Sequence, residues 1–137
     1  MIMGVMLDTS VLIAVERGIL NIDHLISSFE GQPVGISVIT AAELLHGVHR
    51  ADSRRRRLKR QAYVEQVIDL FPIYPFELHA ARIYAELWAS QIMKGTTIGA
   101  HDLIIGATAI SLGFEVATYD LRDFGKIEGL TVHQFSS

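Results

Sequence analysis

The 137-residue chain has no cysteine, three prolines and one tryptophan. Without cysteine there is no disulfide framework, no thiolate metal site and no thiol nucleophile. No stretch free of Asp, Glu, Lys and Arg exceeds 12 residues, well short of the ~20 apolar residues of a membrane-spanning helix. The first residues hold no basic segment of the kind that opens a signal peptide, so a cytoplasmic protein is expected. There is no Walker lysine loop, no G-x-G-x-x-G and no G-x-S-x-G. Triphosphate use, dinucleotide binding and serine hydrolysis therefore have no support. Half of the residues are hydrophobic and a fifth charged, which is enough apolar material for a packed core and argues against disorder.

Basic charge is scarce everywhere but one place. Residues 50–60, RADSRRRRLKR, hold seven of the 12 Lys and Arg with one acid, Asp52. The net charge of −3 thus divides into a strongly positive segment and an acidic remainder, a pattern more informative than the total.

No repeat or linker interrupts the chain, so one domain is expected over residues 1–137. Short β-branched runs at Gly4–Leu7, 33–37, LFPIYP, EVAT (115–118) and LTVHQF suggest strands. Helices are expected at Thr9–Arg17 with Gly18 as its stop, at Ile22–Phe29, from Thr40 through Arg50, at Ser53–Asp69, at Glu77–Met93 and at Asp102–Leu112. Alternation of this kind predicts an α/β fold with a mainly parallel twisted sheet of four to five short strands flanked by helices. In such sheets ligands bind beyond the carboxyl ends of the strands.

Three acids map to that rim, and a fourth, Asp102, joins them if its helix starts there. Asp8 follows the first strand, Glu43 lies near the start of the helix after the second, Asp102 opens a helix, and Asp120 sits two residues past EVAT. Each has a purely structural alternative. Asp8 suits an N-cap, Thr40–Glu43 spells a capping box, Asp102 complements a helix dipole, and Asp120 suits a turn. As a set they would repel one another unless a cation sat among them. Oxygen donors favour a hard ion, Mg²⁺ or Mn²⁺, and such ions are suited to phosphodiester hydrolysis.

The motifs LDTSVLIA, ISVITAAELLHG, HDLIIGATAISLG and ATYDLRDF, in this order and spacing, resemble the PIN-domain nucleases. Within these they resemble the VapC toxins of bacterial type II toxin–antitoxin systems. The resemblance covers essentially the whole chain. It implies that Asp8, Glu43, Asp102 and Asp120 form an acidic quartet holding Mg²⁺ or Mn²⁺, with Asp8 and Asp102 as the main ligands and Asp123 competing for the fourth place. It implies an endoribonuclease acting on single-stranded or looped RNA, with tRNA the preferred expectation, leaving a 5′-phosphate and a 3′-hydroxyl. Thr9 and Thr118 match hydroxyl positions that orient ligands. Gly106 stands where a slightly larger small residue is expected. A VapB-type antitoxin and a homodimer are the implied partners.

The alternatives are a PIN fold that binds RNA or protein with weak catalysis, and a receiver-type Mg-binding signalling domain. The receiver needs an acceptor Asp after the third strand, which LFPIYP lacks. A dehalogenase-like phosphatase needs D-x-D, but position 10 is Ser. Arg54, Arg55, Arg56, Arg57, Lys59 and Arg60 are candidates for RNA phosphates, against a solvated helix face or an antitoxin contact. His46 and His49 lack the further ligands of a zinc site, and His101 is a candidate substrate contact. The stripe Leu78, Ala81, Ala85, Trp88 and Ile92 has the spacing of a core-facing helix, with Tyr84 and Trp88 as candidates for a dimer surface.

Overall fold

The computed structural model describes residues 1–136. Five parallel strands, β1 (Gly4–Leu7), β2 (Val34–Ser37), β3 (Ile73–Tyr74), β4 (Phe114–Thr118) and β5 (Val132–Gln134), form one sheet in the order β3-β2-β1-β4-β5. The helices are α1 (Thr9–Glu16), α2 (Ile22–Ser28), α3 (Val38–Arg50), α4 (Arg54–Leu70), α5 (Leu78–Lys94), α6 (Ala100–Leu112) and α7 (Leu121–Phe124).

The central strand shows why the sheet is sandwiched. Val5 and Leu7 pack with α1–α4, whereas Met6, between them, packs with α6 and α7. All three are fully buried. Side chains alternate across a strand, so a strand apolar at every position must be covered on both faces. β4 behaves alike, with Ala117 on one side and Phe114 and Val116 on the other.

The strand order reverses at β1. The chain moves outward through β2 and β3, then returns to place β4 on the other side of β1. Connections diverge at that switch point, and a crevice opens at the carboxyl ends of β1 and β4. Residues 8 and 118 flank it.

Three expectations are corrected. First, α3 starts at Val38, because Ser37 Oγ accepts from Ile39 N–H at 3.2 Å and takes the cap. Thr40 is therefore inside the helix, and no Thr40–Glu43 capping box forms. Second, the α5 stripe is not core: Leu78, Trp88 and Ile92 are 67%, 51% and 67% exposed. The helix instead packs through Ala80, Tyr84 and Leu87. Third, LRDF forms the short helix α7 rather than a turn. Gly106 also gains an explanation, since a Cβ there would lie 2.7 Å from Ile127 Cδ1.

Gly35 is tighter. A Cβ would stand 2.5 Å from the Tyr74 ring and 2.7 Å from the Pro72 carbonyl oxygen. The β2–β3 ladder itself holds that carbonyl, because Ile36 N–H donates to it at 3.0 Å. Gly35→Ala should therefore cost about 1–3 kcal/mol, read as a lower urea midpoint with unchanged m-value. An unchanged midpoint would show that β3 can move away freely.

Candidate active site

Asp8 leaves the end of β1 as the N-cap residue of α1, but its side chain makes no capping hydrogen bond. Its carboxylate is 6% exposed and is held from the side. Ser10 Oγ donates to Oδ2 at 2.8 Å, and Thr118 Oγ1 donates to the same oxygen at 2.9 Å. Both donors bind one oxygen, which orients the carboxylate and leaves Oδ1 outside this hydroxyl network. Burial raises the Asp8 pKa above the usual carboxylate value, and the two hydroxyls oppose that rise. A carboxylate taken from water disfavours its charge, while donors to the charged form favour it.

Thr118 ends β4 and is fully buried. Asp8 N–H donates to Ala117 O at 2.9 Å, extending the β1–β4 ladder by one step. That step brings Thr118 to Asp8. Ser10, which the sequence reading missed, also accepts from Tyr119 N–H at 3.1 Å. The D-T-S triplet after the strand was its only signal.

Glu43 is held by α1. Thr9 Oγ1 donates to its Oε1 at 2.8 Å and lies 3.2 Å from the Thr40 hydroxyl. Its other oxygen stands 3.4 Å from His101 Nδ1. The start of α3 at Val38 puts Glu43 in the second turn of the helix rather than the first.

Asp102 lies in the first turn of α6, beyond the N-cap Gly99. Burial is the largest cause pushing its pKa up to about 7; a hydrogen bond with Asp123 and the charges of Asp8, Asp123 and Glu43 add to it. These four acids form one electrostatic unit.

Asp120, expected from the sequence as the fourth acid, is placed differently. Its Oδ1 caps α7 by accepting from Arg122 N–H at 3.0 Å, and its Oδ2 lies 3.6 Å from the Arg122 guanidinium. Asp123, one turn later, is the neighbouring acid that raises the Asp102 pKa. Asp123 Oδ2 also accepts from Gly99 N–H at 3.2 Å. A Cβ on Gly99 would lie 3.3 Å from that oxygen, so the loop before α6 approaches the acid pair closely.

The basic run divides. Arg56 pairs with Asp52 at 2.8 Å. Arg60 pairs with Glu16 at 3.3 Å and donates to Gly47 O at 3.4 Å. Arg54, Arg55, Arg57 and Lys59 form no ion pair among the described residues.

The donor chemistry fits a hard divalent cation. Every group is an oxygen donor, and the like charges are relieved by raised pKa values, the role a cation would assume. No three acid or histidine side chains among the described residues stand close enough to close on an ion as placed.

A parallel sheet with acids gathered at its switch point is the architecture of a PIN domain, and the PIN domain family model matches residues 5–130. Ribonuclease VapC1 of Rickettsia felis is 40% identical over 135 residues, 98% of each chain. The tRNA(fMet)-specific endonuclease VapC of Salmonella typhimurium is 32% identical over 100 residues, 73% of this chain and 74% of its own. The DNA-bound VapBC structure from Salmonella typhimurium superposes with a TM-score of 0.84 at 29% identity, covering 98% of both chains. The chain belongs to the VapC group of the PIN-domain family.

The Asp102 shift has a measurable sign. An acid whose folded pKa lies above its unfolded value stabilises the fold fully below the unfolded value, and that contribution is lost as pH rises through the folded one. In EDTA, melting temperature should fall between pH 5 and 8 more steeply for the native protein than for Asp102→Asn. Mg²⁺ affinity, measured calorimetrically, should rise across pH 6 to 8 as the proton is displaced. Identical pH slopes for the two proteins would place the shift elsewhere.

Proposed function

We propose that the protein is a divalent-metal-dependent endoribonuclease, the toxin of a toxin–antitoxin pair. The observation that carries this reading is the gathering of acids at the ends of β1 and β4: buried Asp8 is tied to Thr118, Thr9 holds Glu43, and Asp123 closes on the Gly99 loop that leads into Asp102. A protein built only to bind RNA has no use for buried acids of like charge. Asp8, Asp102 and Asp123 would hold Mg²⁺ or Mn²⁺, with Glu43 completing the site; Asp123 takes the place expected for Asp120. When bound, such an ion polarises the phosphoryl group and makes water acidic enough to attack at neutral pH.

The chain's own residues do the positioning. Ser10 and Thr118 fix Asp8 through one oxygen, and Thr9 fixes Glu43. Asp102 must lose its proton before it can act as a donor, which sets a lower pH limit on activity. Glu43, with one oxygen anchored to Thr9 and the other directed toward His101, is placed to accept a proton from water as its oxygen bonds to phosphorus. The bond from phosphorus to the 3′-oxygen breaks, leaving a 5′-phosphate on one fragment and a 3′-hydroxyl on the other.

A VapB-type antitoxin is the expected partner, since solved neighbours of this chain are VapBC complexes. Transfer RNA is the preferred substrate, in line with the name of the Salmonella relative. A second copy is expected to cover the exposed α5 stripe. No helix among the described residues is long and apolar enough to cross a membrane; a cytoplasmic location is part of the proposal.

Asp8→Asn and Asp102→Asn should abolish cleavage of a tRNA pool while leaving circular dichroism unchanged, and EDTA should do the same to the native protein. Thr118→Val should lower the rate roughly 10–100-fold, as loss of a residue orienting a ligand does. Asp123→Asn should be severe and Asp120→Asn mild. Cleavage that survives EDTA, or full activity in Asp8→Asn, would overturn the reading; RNA binding without any cleavage would favour the binding module.

A further inference from the structure

The acid site opens sideways into a groove between α1, α3 and α4. The cavity holds about 460 Å³, and its walls run from Thr9, Glu43 and His101 at one end to Arg17, Arg50 and Arg60 at the other. An adjoining cavity of about 650 Å³ continues from those same arginines to Asp52, Arg56 and Lys59. Glu16, Arg17, Arg50, Arg60 and Tyr63 line both, so the two spaces adjoin along that shared wall. Along α3 the lining residues are Glu43, Leu44, His46, Gly47 and Arg50, one face of the helix at three- and four-residue spacing. Seven residues of helix separate Glu43 from Arg50, an axial distance of about 10 Å.

The charge changes sign along that distance. At the far end the acids are already matched: Glu16 by Arg60 and Asp52 by Arg56. Arg17, Arg50 and Lys59 remain, each exposed and without an acidic partner among the described residues. Only part of the basic run faces this groove. Arg54 and Arg57 line neither cavity, whereas Arg17 lies far from the run in sequence and Arg50 is its first residue. The Glu16–Arg60 pair and the Arg60 bond to Gly47 O link α1, α4 and α3 where the two cavities meet.

We infer that Arg17, Arg50 and Lys59 form a phosphate-gripping subsite for the RNA strand, set along the groove from the bond that is cut. The inference rests on the nuclease reading for what lies at the acid end, but the subsite is defined by its own charges. A polyanion cannot be held by the acid end, which repels it. The groove gives the strand a cationic anchor, and Arg17 and Arg50 share one cavity wall with Glu43 of the acid site. Phosphate contacts of this kind position a nucleic acid without reading its sequence. The groove thus supplies register and affinity, and the run's outer arginines do not take part.

The test is RNA binding in EDTA, which separates grip from cutting. A short fluorescent single-stranded RNA is titrated at several salt concentrations against the native protein, Arg17→Gln/Arg50→Gln/Lys59→Gln, and Arg54→Gln/Arg57→Gln. Single-strand binding loses about 0.7 in the slope of log affinity against log salt per phosphate contact removed. The groove variant should therefore lose about 2 in slope and roughly 100-fold in affinity at 0.1 M salt; the outer-face variant should match the native protein. With Mg²⁺, the groove variant should show raised KM and nearly native kcat at saturating RNA. Equal losses in both variants, or an unchanged slope in the groove variant, would overturn the inference. So would native RNA binding by the groove variant together with lost binding of poly-glutamate, which would assign the groove to an acidic protein segment. If the native protein binds RNA with the expected slope but never cleaves it, the nuclease reading fails and the subsite stands.

Discussion

The parallel pairing of β1 with β4 is the constraint on which the site depends. It aligns Gly4 through Leu7 with Phe114 through Ala117, and one further backbone bond carries Asp8 to Thr118. Two residues 110 positions apart thereby share a hydrogen bond at a buried spot. Local chain geometry would not hold Asp8 there; as an N-cap it would turn toward its own helix. The long-range ladder overrides that preference and leaves the carboxylate available for chemistry. Because β1 is covered on both faces, the ladder cannot slip by one residue without moving Met6 and Leu7 into the wrong layers.

The remaining acids are arranged around this fixed point by helices rather than strands. α3 brings Glu43, α6 brings Asp102, and the short α7 brings Asp123. Their repulsion, strengthened by burial, is relieved by the raised pKa of Asp102, which favours its uncharged form. A site destabilised by its own charges is a common sign of function, since stability is lost locally so that a ligand can restore it.

Much of this was legible in the residues, and the parts that were not share a physical cause. Apolar runs ending in Asp or Thr mark strand ends, so Asp8 and Thr118 could be read directly. Asp102 was legible because a helix must start at the rim to return to the foot of β4. Asp123 was not. DLRDF offers two acids three residues apart, and α7 is one turn long, too short for any periodicity to show which acid faces inward. Ser10 was hidden for a similar reason: a hydroxyl in the first turn of a helix is ordinarily a cap. The α5 stripe has helical spacing, but periodicity reports a covered face without saying what covers it. The arginine run announced a charge, whereas the helical twist of α4 decided which of its members reach the groove.

The sheet's edges have a consequence for how this molecule meets others. β3 is two residues long and β5 three, so neither edge offers enough unpaired backbone to template an added strand. Exposed side chains offer the other route, among them Leu78, Trp88, Ile92 and Met93 of α5. Contacts of that kind are divisible: a substitution on one helix face can retune them one residue at a time and leave the sheet untouched.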